Sequence, residues 1–492
     1  MYLLYALFKI YLFIKNLLGV RMNTFYDLMD FQNLSEYFLL DRVFSALMGT
    51  LTILVVYKVA KIIFNKKVAL TSSLFLALAY LHVRDSHFGV TDIPLTFFML
   101  WSVFYMIKSY QDKTMKNYII AGIISGIAAS VKNNGFILVV PMAVVHALNL
   151  LEQKENGLKF ILNERMLLFI SVMGFTFLLG TPYVYWTFDK FIIQFLAEIN
   201  HLQEGHGINL GRGWLYHLRF SLFYGLGWSF LTFSLIGMVF LFIKDFKKAI
   251  LLCTFPVIYY LITGKGLVVF VRYTLPMIPF LCITTGYLLI FMIDQGHNLK
   301  ISLVRKSSYI FALLILLGPS IYNIIGFDSL LTQKDSRLLA KDWIQKNIPT
   351  KASIFQTGGG IGKILFSSKD KSEKNLVEER MELRHNKTKE NWLELEYSVK
   401  DNIFSYGDQQ AFTLPDYIII KKHPLKIYSK MPENIQTLCN EKYYLVKSFE
   451  IIELENPNHL FDQQDAFFVP FVGFKNISNP GPNIYIFQKR KN

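Results

Sequence analysis

A series of apolar runs fills the first 326 residues and constrains this chain more than any other feature. The runs lie at roughly 43–64, 68–81, 92–108, 118–131, 134–151, 166–187, 220–243, 249–263, 267–293 and 308–326. A helix needs about 20 apolar residues to cross a bilayer, and several runs approach that length. Residues 68–81 and 118–131 fall short, so they are expected to stand only when packed against neighbours. Charged residues make up 18% of the chain, against about 25% in soluble domains. Disorder, collagen and coiled coil are therefore excluded. Cys253, Cys282 and Cys439 lie far apart, which excludes a disulfide-rich scaffold and a clustered thiolate metal site.

The formal charge is +15, a balance that by itself suggests nucleic acid. Its distribution argues otherwise. Residues 1–326 hold 27 Lys and Arg against 15 Asp and Glu, while residues 327–492 hold 24 against 21. Alternating the loops of the apolar part puts 16 basic residues in one set: 58–67, 108–116, 154–165, 244–248 and 300–306. Only nine fall on the other side: Arg21, Arg42, Arg84, Lys132, Lys190, Arg212, Arg219, Lys265 and Arg272. The positive-inside rule places the first set in the cytosol. About ten transmembrane helices then leave residues 21–42 and 327–492 outside. Residues 2–20 are apolar but carry Lys9 and Lys15, which fits an interfacial helix better than a signal peptide. The chain also reads as beginning in mid-element at Met1.

After Phe327 the texture changes. Asp335–Asn347 reads as an amphipathic helix with apolar residues at 338, 339, 343 and 344, ended by Pro349. ASIFQT, DYIIIKK, YYLVKSFEII and NIYIFQK read as strands. Residues 366–402 are highly charged and read as helix plus loop. The expected architecture is a mostly α polytopic membrane domain, 1–326, followed by a soluble α/β domain, 327–492. Gly358-Gly359-Gly360 invites a phosphate-loop reading, but GGGIGK lacks the spacing of a Walker loop, and a strand–helix turn is the plainer account.

Charges near bilayer depth are costly and tend to be functional. The densest outer cluster holds His82, Arg84, Asp85, Ser86, His87, Thr91 and Asp92, with Pro94 after it. Asp92 or Thr91 as a helix N-cap is the plain reading. A cap does not explain Arg84, Asp85 and two histidines together. His82, His87 and Asp85 as a divalent-metal set is a further reading, although no cofactor is required. Lys132-Asn133-Asn134-Gly135 forms a second outer turn. There Lys132 either snorkels to the surface or binds an anionic head group. Arg272-Tyr273 precedes Pro276 and Pro279, which loosen the span, and the forked guanidinium suits phosphate. The long outer loop 188–219 carries His201, Glu204, His206, Arg212, Trp214 and His217, either as interfacial anchoring or as the cover of a substrate groove.

The succession RDSHFGVTD, VKNNGFILVVP, RYTLPMIP, DSRLLAKDWIQKNIP and the ending GPNIYIFQK resembles the multi-span C-type glycosyltransferases. Within these it is most similar to the dolichyl-phosphate-mannose:protein mannosyltransferase and aminoarabinose transferase group. The resemblance implies transfer of a sugar from a polyprenyl-phosphate-linked donor to a protein, lipid or glycan acceptor, at the outer face of a cell (plasma) membrane and with inversion. It implies Asp92 as a catalytic carboxylate, and Asp85 of the same outer cluster is the second catalytic candidate. It implies Lys132 and Arg272 as holders of the phosphate, and Arg84, His87, Asn133, Tyr273 and Arg212 complete the candidate substrate- and phosphate-binding set. Donor lipid and membrane lipids are the expected partners, and nucleic acid is not. The group's first span and Asp-Glu loop have no counterpart before Asp27, so a missing N-terminal segment is expected. A lipid-linked sugar flippase and an inactive lipid-binding remnant are the competing readings.

Overall fold

The computed structural model describes residues 2–17, 34–152, 163–295, 302–350, 352–358, 362–364, 393–398, 403–406, 409–411 and 414–490. The readings placed on 21–33, 154–162, Gly359, Gly360 and 366–392 lie outside the described residues. The described chain divides into two compact units, one ending at Ile324 and the other beginning at Ile325.

In the first unit each of the ten apolar runs lies mostly on helix, with residues 267–270 outside any. Among the described residues six helical stretches are long and apolar enough to cross a membrane: Phe38–Ile63, Asp92–Asp112, Asn133–Glu152, Phe246–Thr263, Val271–Gln295 and Ser307–Asn347. A seventh arises if Gly213–Leu226 and Trp228–Lys244, bent by 113° about Gly227, count as one. The chain is thus an integral membrane protein. The short helices survive by packing, as expected. Lys66–Ala77 lies on Leu34–Ile63 and Ile278–Gln295, and Met115–Val131 lies on Asp92–Asp112 and Glu164–Gly180. The last contact depends on small residues. A Cβ at Gly126 would stand 2.6 Å from the Met173 carbonyl oxygen, so only glycine admits that backbone approach. The first helix, Tyr2–Leu17, buries Phe8 and Leu12 and leaves Ile10, Phe13, Ile14 and Leu17 exposed. It therefore has one stripe on the protein and an apolar stripe facing away.

The second unit is a seven-stranded sheet in the order β4-β3-β2-β1-β5-β7-β6. Its strands are β1 (Ser353–Gln356), β2 (Leu393–Ser398), β3 (Ile403–Tyr406), β4 (Gln409–Ala411), β5 (Tyr417–Lys422), β6 (Tyr443–Phe449) and β7 (Asn483–Lys489). β1 runs parallel to both β2 and β5, and the outer pairs are antiparallel. Helix Ser336–Asn347 covers one face, setting Ala340 and Ile344 on Ile354, Ile419, Ile484 and Ile486. Helix Glu433–Lys442 covers the other, setting Ile435 and Cys439 on Phe355, Ile418 and Ile420.

Two local expectations need correction. Residues 393–398 form a strand, not part of a helix and loop. LELEYS alternates, with Leu395 buried while Glu394 and Glu396 are not, and its charge masks the period of two. The buried face of Ser336–Asn347 runs through Ser336, Ala340 and Ile344, and Leu338 is exposed. The Ser336 hydroxyl donates to the Pro482 carbonyl at 2.7 Å, which rotates that side inward.

Candidate functional site

The site grows from the first residue of the Asp92–Asp112 helix. Thr91 precedes it in helical conformation and makes no side-chain cap bond, so the N-cap reading does not describe this turn. The Asp92 side chain turns to cations instead. Its Oδ1 accepts from Lys132 Nζ at 2.8 Å, and its Oδ2 lies 3.4 Å from Arg272 Nε. Asp92 is 1% exposed. A carboxylate so enclosed is tolerable because two cations share its charge; removing either would leave a desolvated ion.

Local structure aims each partner. Lys132 ends the Met115–Val131 helix in extended conformation, φ −156° and ψ 137°, and a 3-10 turn over Asn133–Leu138 follows. The helix therefore stops at Lys132, which stands at the junction of two elements. Arg272 and Tyr273 sit in a second 3-10 turn, Val271–Met277. Pro276 and Pro279 lack N–H groups, so regular helix resumes only at Ile278. Lys132 Nζ stands 4.2 Å from the centroid of the Tyr273 ring, and the Arg272 guanidinium 4.2 Å from that of Phe270. Such contacts contribute about 0.5–2 kcal/mol each and hold both cations in place.

Beside this cluster lies a cavity of about 660 Å³ whose lining includes Lys132, Asn134, Glu198, Leu202, Gln203, Arg212, Lys265 and Tyr273. Its wall is stitched by backbone. Leu267 N donates to Leu202 O at 2.8 Å, and Gly213 N to Gly266 O at 3.0 Å. Trp214 serves as a strut: its Nε1 donates to Leu261 O at 3.0 Å, and its carbonyl accepts from the Tyr260 hydroxyl. The amphipathic helix Phe188–Glu204 supplies Glu198, Leu202 and Gln203. The loop 188–219 thus contributes directly to a groove.

Of the residues named from sequence, Asp92, Lys132, Arg272 and Tyr273 come together, and Arg212 joins them across the cavity. Arg84 and Asp85, 1% and 0% exposed, pair with each other at 3.1 Å within the Tyr80–Ser86 helix. His87 is exposed, with its Nδ1 2.9 Å from Val83 O. Asn133 is exposed at the turn after Lys132. His82 Nε2 lies 3.2 Å from Gly49 O. Among the described residues no group of three or more His, Cys, Asp or Glu is placed to hold a metal ion, so His82, His87 and Asp85 do not converge. Sequence reasoning placed Asn134 in the second outer turn without giving it a role, and passed over Glu198 and Gln203. Glu198 and Gln203 had a signal, the strong amphipathicity of residues 188–204. Asn134 had none beyond its neighbour Lys132.

Residues 38–186 match the family described as dolichyl-phosphate-mannose-protein mannosyltransferase. The matched segment includes Asp92 and Lys132 and stops before Arg212 and Arg272. No curated protein matches the chain by sequence. Among solved structures, the apo oligosaccharyltransferase of Archaeoglobus fulgidus shares 13% identity at a TM-score of 0.41, over 64% of this chain and 51% of its own. The chain thus spans about half the length of that structure. The same protein tethered to an acceptor peptide gives 13% identity and a TM-score of 0.45 over 92% of this chain and 77% of its own. ArnT from Cupriavidus metallidurans bound to undecaprenyl phosphate gives 15% and 0.43 over 66% and 69%.

Proposed function

We propose that this protein transfers a sugar from a polyprenyl-phosphate donor to an acceptor hydroxyl or amine at the outer face of the membrane, with inversion. The observation that carries this reading is the Lys132–Asp92–Arg272 cluster beside a cavity lined by Arg212, Lys265 and Tyr273. The acceptor atom forms a bond to the anomeric carbon while the bond from that carbon to the phosphate oxygen breaks. Polyprenyl phosphate leaves, and the acceptor gives up a proton. Negative charge develops on the leaving phosphate, and fixed cations in a partly desolvated site stabilise it most. Lys132 and Arg272 supply that charge, and Arg212 and Lys265 extend it across the cavity. Asp92 acts as a positioning residue that sets the spacing of the two cations before donor arrives. The family match over residues 38–186 and the apolar helices, which give the lipid tail a place to lie, support the same reading.

The test is sugar transfer by the purified chain in vesicles supplied with polyprenyl-phosphate sugars. Arg272→Ala and Lys132→Ala should each lower kcat by about 10²–10³, with smaller changes in KM. Unchanged turnover in both would sink the assignment. Movement of donor across the bilayer without sugar transfer would point instead to a transporter.

A further inference from the structure

The C-terminal unit holds a buried cation that the transfer chemistry does not use. Lys421 lies near the end of β5 and is 2% exposed. Its backbone N donates to Thr357 Oγ1 at 3.0 Å, and Thr357 N donates to Ile419 O at 2.9 Å. The end of β5 is thereby locked to the turn leaving β1. Gln356 pairs with Ile419, so Lys421, two residues on, shares the face of Ile419 that Ser336–Asn347 covers.

Three observations make this more than a satisfied core lysine. First, Lys421 Nζ has no hydrogen-bond partner among the described residues. Acids of the vicinity are already engaged: Glu394 accepts from Lys363 at 2.9 Å, and Asp335 accepts from Arg337 at 2.8 and 2.7 Å. A buried cation without counter-charge is costly. Second, Gly358 has φ 80°, and a Cβ there would stand 3.5 Å from Lys421 Cε and 3.8 Å from Nζ. The amine therefore lies beside Gly358, a position without a side chain, where the Tyr428 carbonyl oxygen would stand 3.1 Å from such a Cβ. Third, β1 lies between two parallel neighbours, and ligands in open α/β sheets bind outside the carboxyl ends of strands at such a switch point. Burial, with Lys363 and Arg337 nearby and Glu394 opposing, pushes the amine down to about 7.

We propose that the Lys421 amine, beside Gly358, forms an anion site in the C-terminal unit that takes a phosphate group as its counter-charge. Phosphate fits better than carboxylate. Gly358 carries no side chain, which admits close approach of a tetrahedral group beside the amine. The site stands independently of the transfer reading, since none of its residues lies in the membrane unit.

The test is equilibrium dialysis of labelled inorganic phosphate with the full chain in detergent, at constant ionic strength set by chloride. Wild type should bind phosphate at least tenfold more tightly than acetate. Lys421→Met should lose at least tenfold in phosphate affinity, and Gly358→Ala, which places a methyl group against the amine, should do the same. The second variant serves if the first does not fold. No binding above the chloride control, or wild-type affinity in every folded variant, overturns the proposal. Competition by phosphatidic acid vesicles, against phosphatidylcholine, assigns the phosphate to a lipid head group. Competition by glycerol phosphate alone assigns it to a soluble phosphomonoester. Displacement by neither overturns it as well.

Discussion

The two units treat buried charge in opposite ways. In the membrane unit the enclosed charges are matched at short range: Arg84 with Asp85, and Asp92 with both Lys132 and Arg272. In the sheet unit Lys421 is as deeply enclosed, yet its amine meets no acceptor among the described residues. The difference follows from what each environment allows. Between apolar helices an unmatched ion is prohibitive, so charge there comes in pairs and is available to a substrate only by exchange of partners. At the carboxyl edge of a sheet an amine can shed its proton or accept an exchangeable anion. The first arrangement holds a preset geometry, and the second leaves the amine's protonation to its surroundings.

That comparison can be broken at several points. The largest effect should come from Asp85→Ala, which removes the carboxylate paired with buried Arg84. Removing one member of a buried pair costs about 3–5 kcal/mol, and the thermal unfolding midpoint in detergent should fall sharply. A midpoint within a degree of wild type would show that the pair is not a structural requirement. Asp92→Asn should cost less, about 1.5–3 kcal/mol, because Lys132 is partly exposed and can rehydrate. Its signature should be loss of turnover beyond loss of stability.

The third concerns pH. The Lys421 amine sits near 7 when folded, against an ordinary value of 10.5. The unfolded chain therefore binds the extra proton between those values, so stability should rise with pH from about 7 to about 10.5. Lys421 contributes a slope approaching about 1.4 kcal/mol per pH unit within that window. Denaturant titrations of wild type and Lys421→Met should differ by that slope; parallel curves would contradict the buried, depressed amine. Phosphate at saturation should flatten the slope, since it favours the charged form. The smallest effect is expected from Trp214→Phe. Losing the indole bond to Leu261 should cost about 0.5–1.5 kcal/mol and loosen the cavity wall, read as a higher KM with little change in kcat.

Legibility from sequence varied with how strongly burial speaks through residue type. The ten apolar runs announced their helices because side chains beside lipid or core must be apolar all round. β5 and β7 were equally plain, being rich in Ile and Tyr. β2 was hidden because Glu394 and Glu396 flank the one buried position, Leu395. β3 and β4 are too short to show a period. At the site, Asp92, Lys132 and Arg272 were conspicuous one by one, as charges where charge is scarce. Nothing in their spacing of 40 and 140 positions showed that one carboxylate would hold both cations. Glu198 and Gln203 could not be told from other polar residues of an amphipathic helix until a cavity appeared beside them.

The sequence by itself determined that this is a membrane protein with an appended α/β unit, since hydropathy and charge asymmetry are properties of composition along a line. It also nominated the outer-side charges. Only tertiary structure decided which of those charges meet, that Asp92 bonds two cations in place of capping its helix, and that Lys421 Nζ is enclosed without a hydrogen-bond partner among the described residues. Those outcomes depend on distances between segments far apart in the chain, and such distances are set by packing among many helices and strands at once.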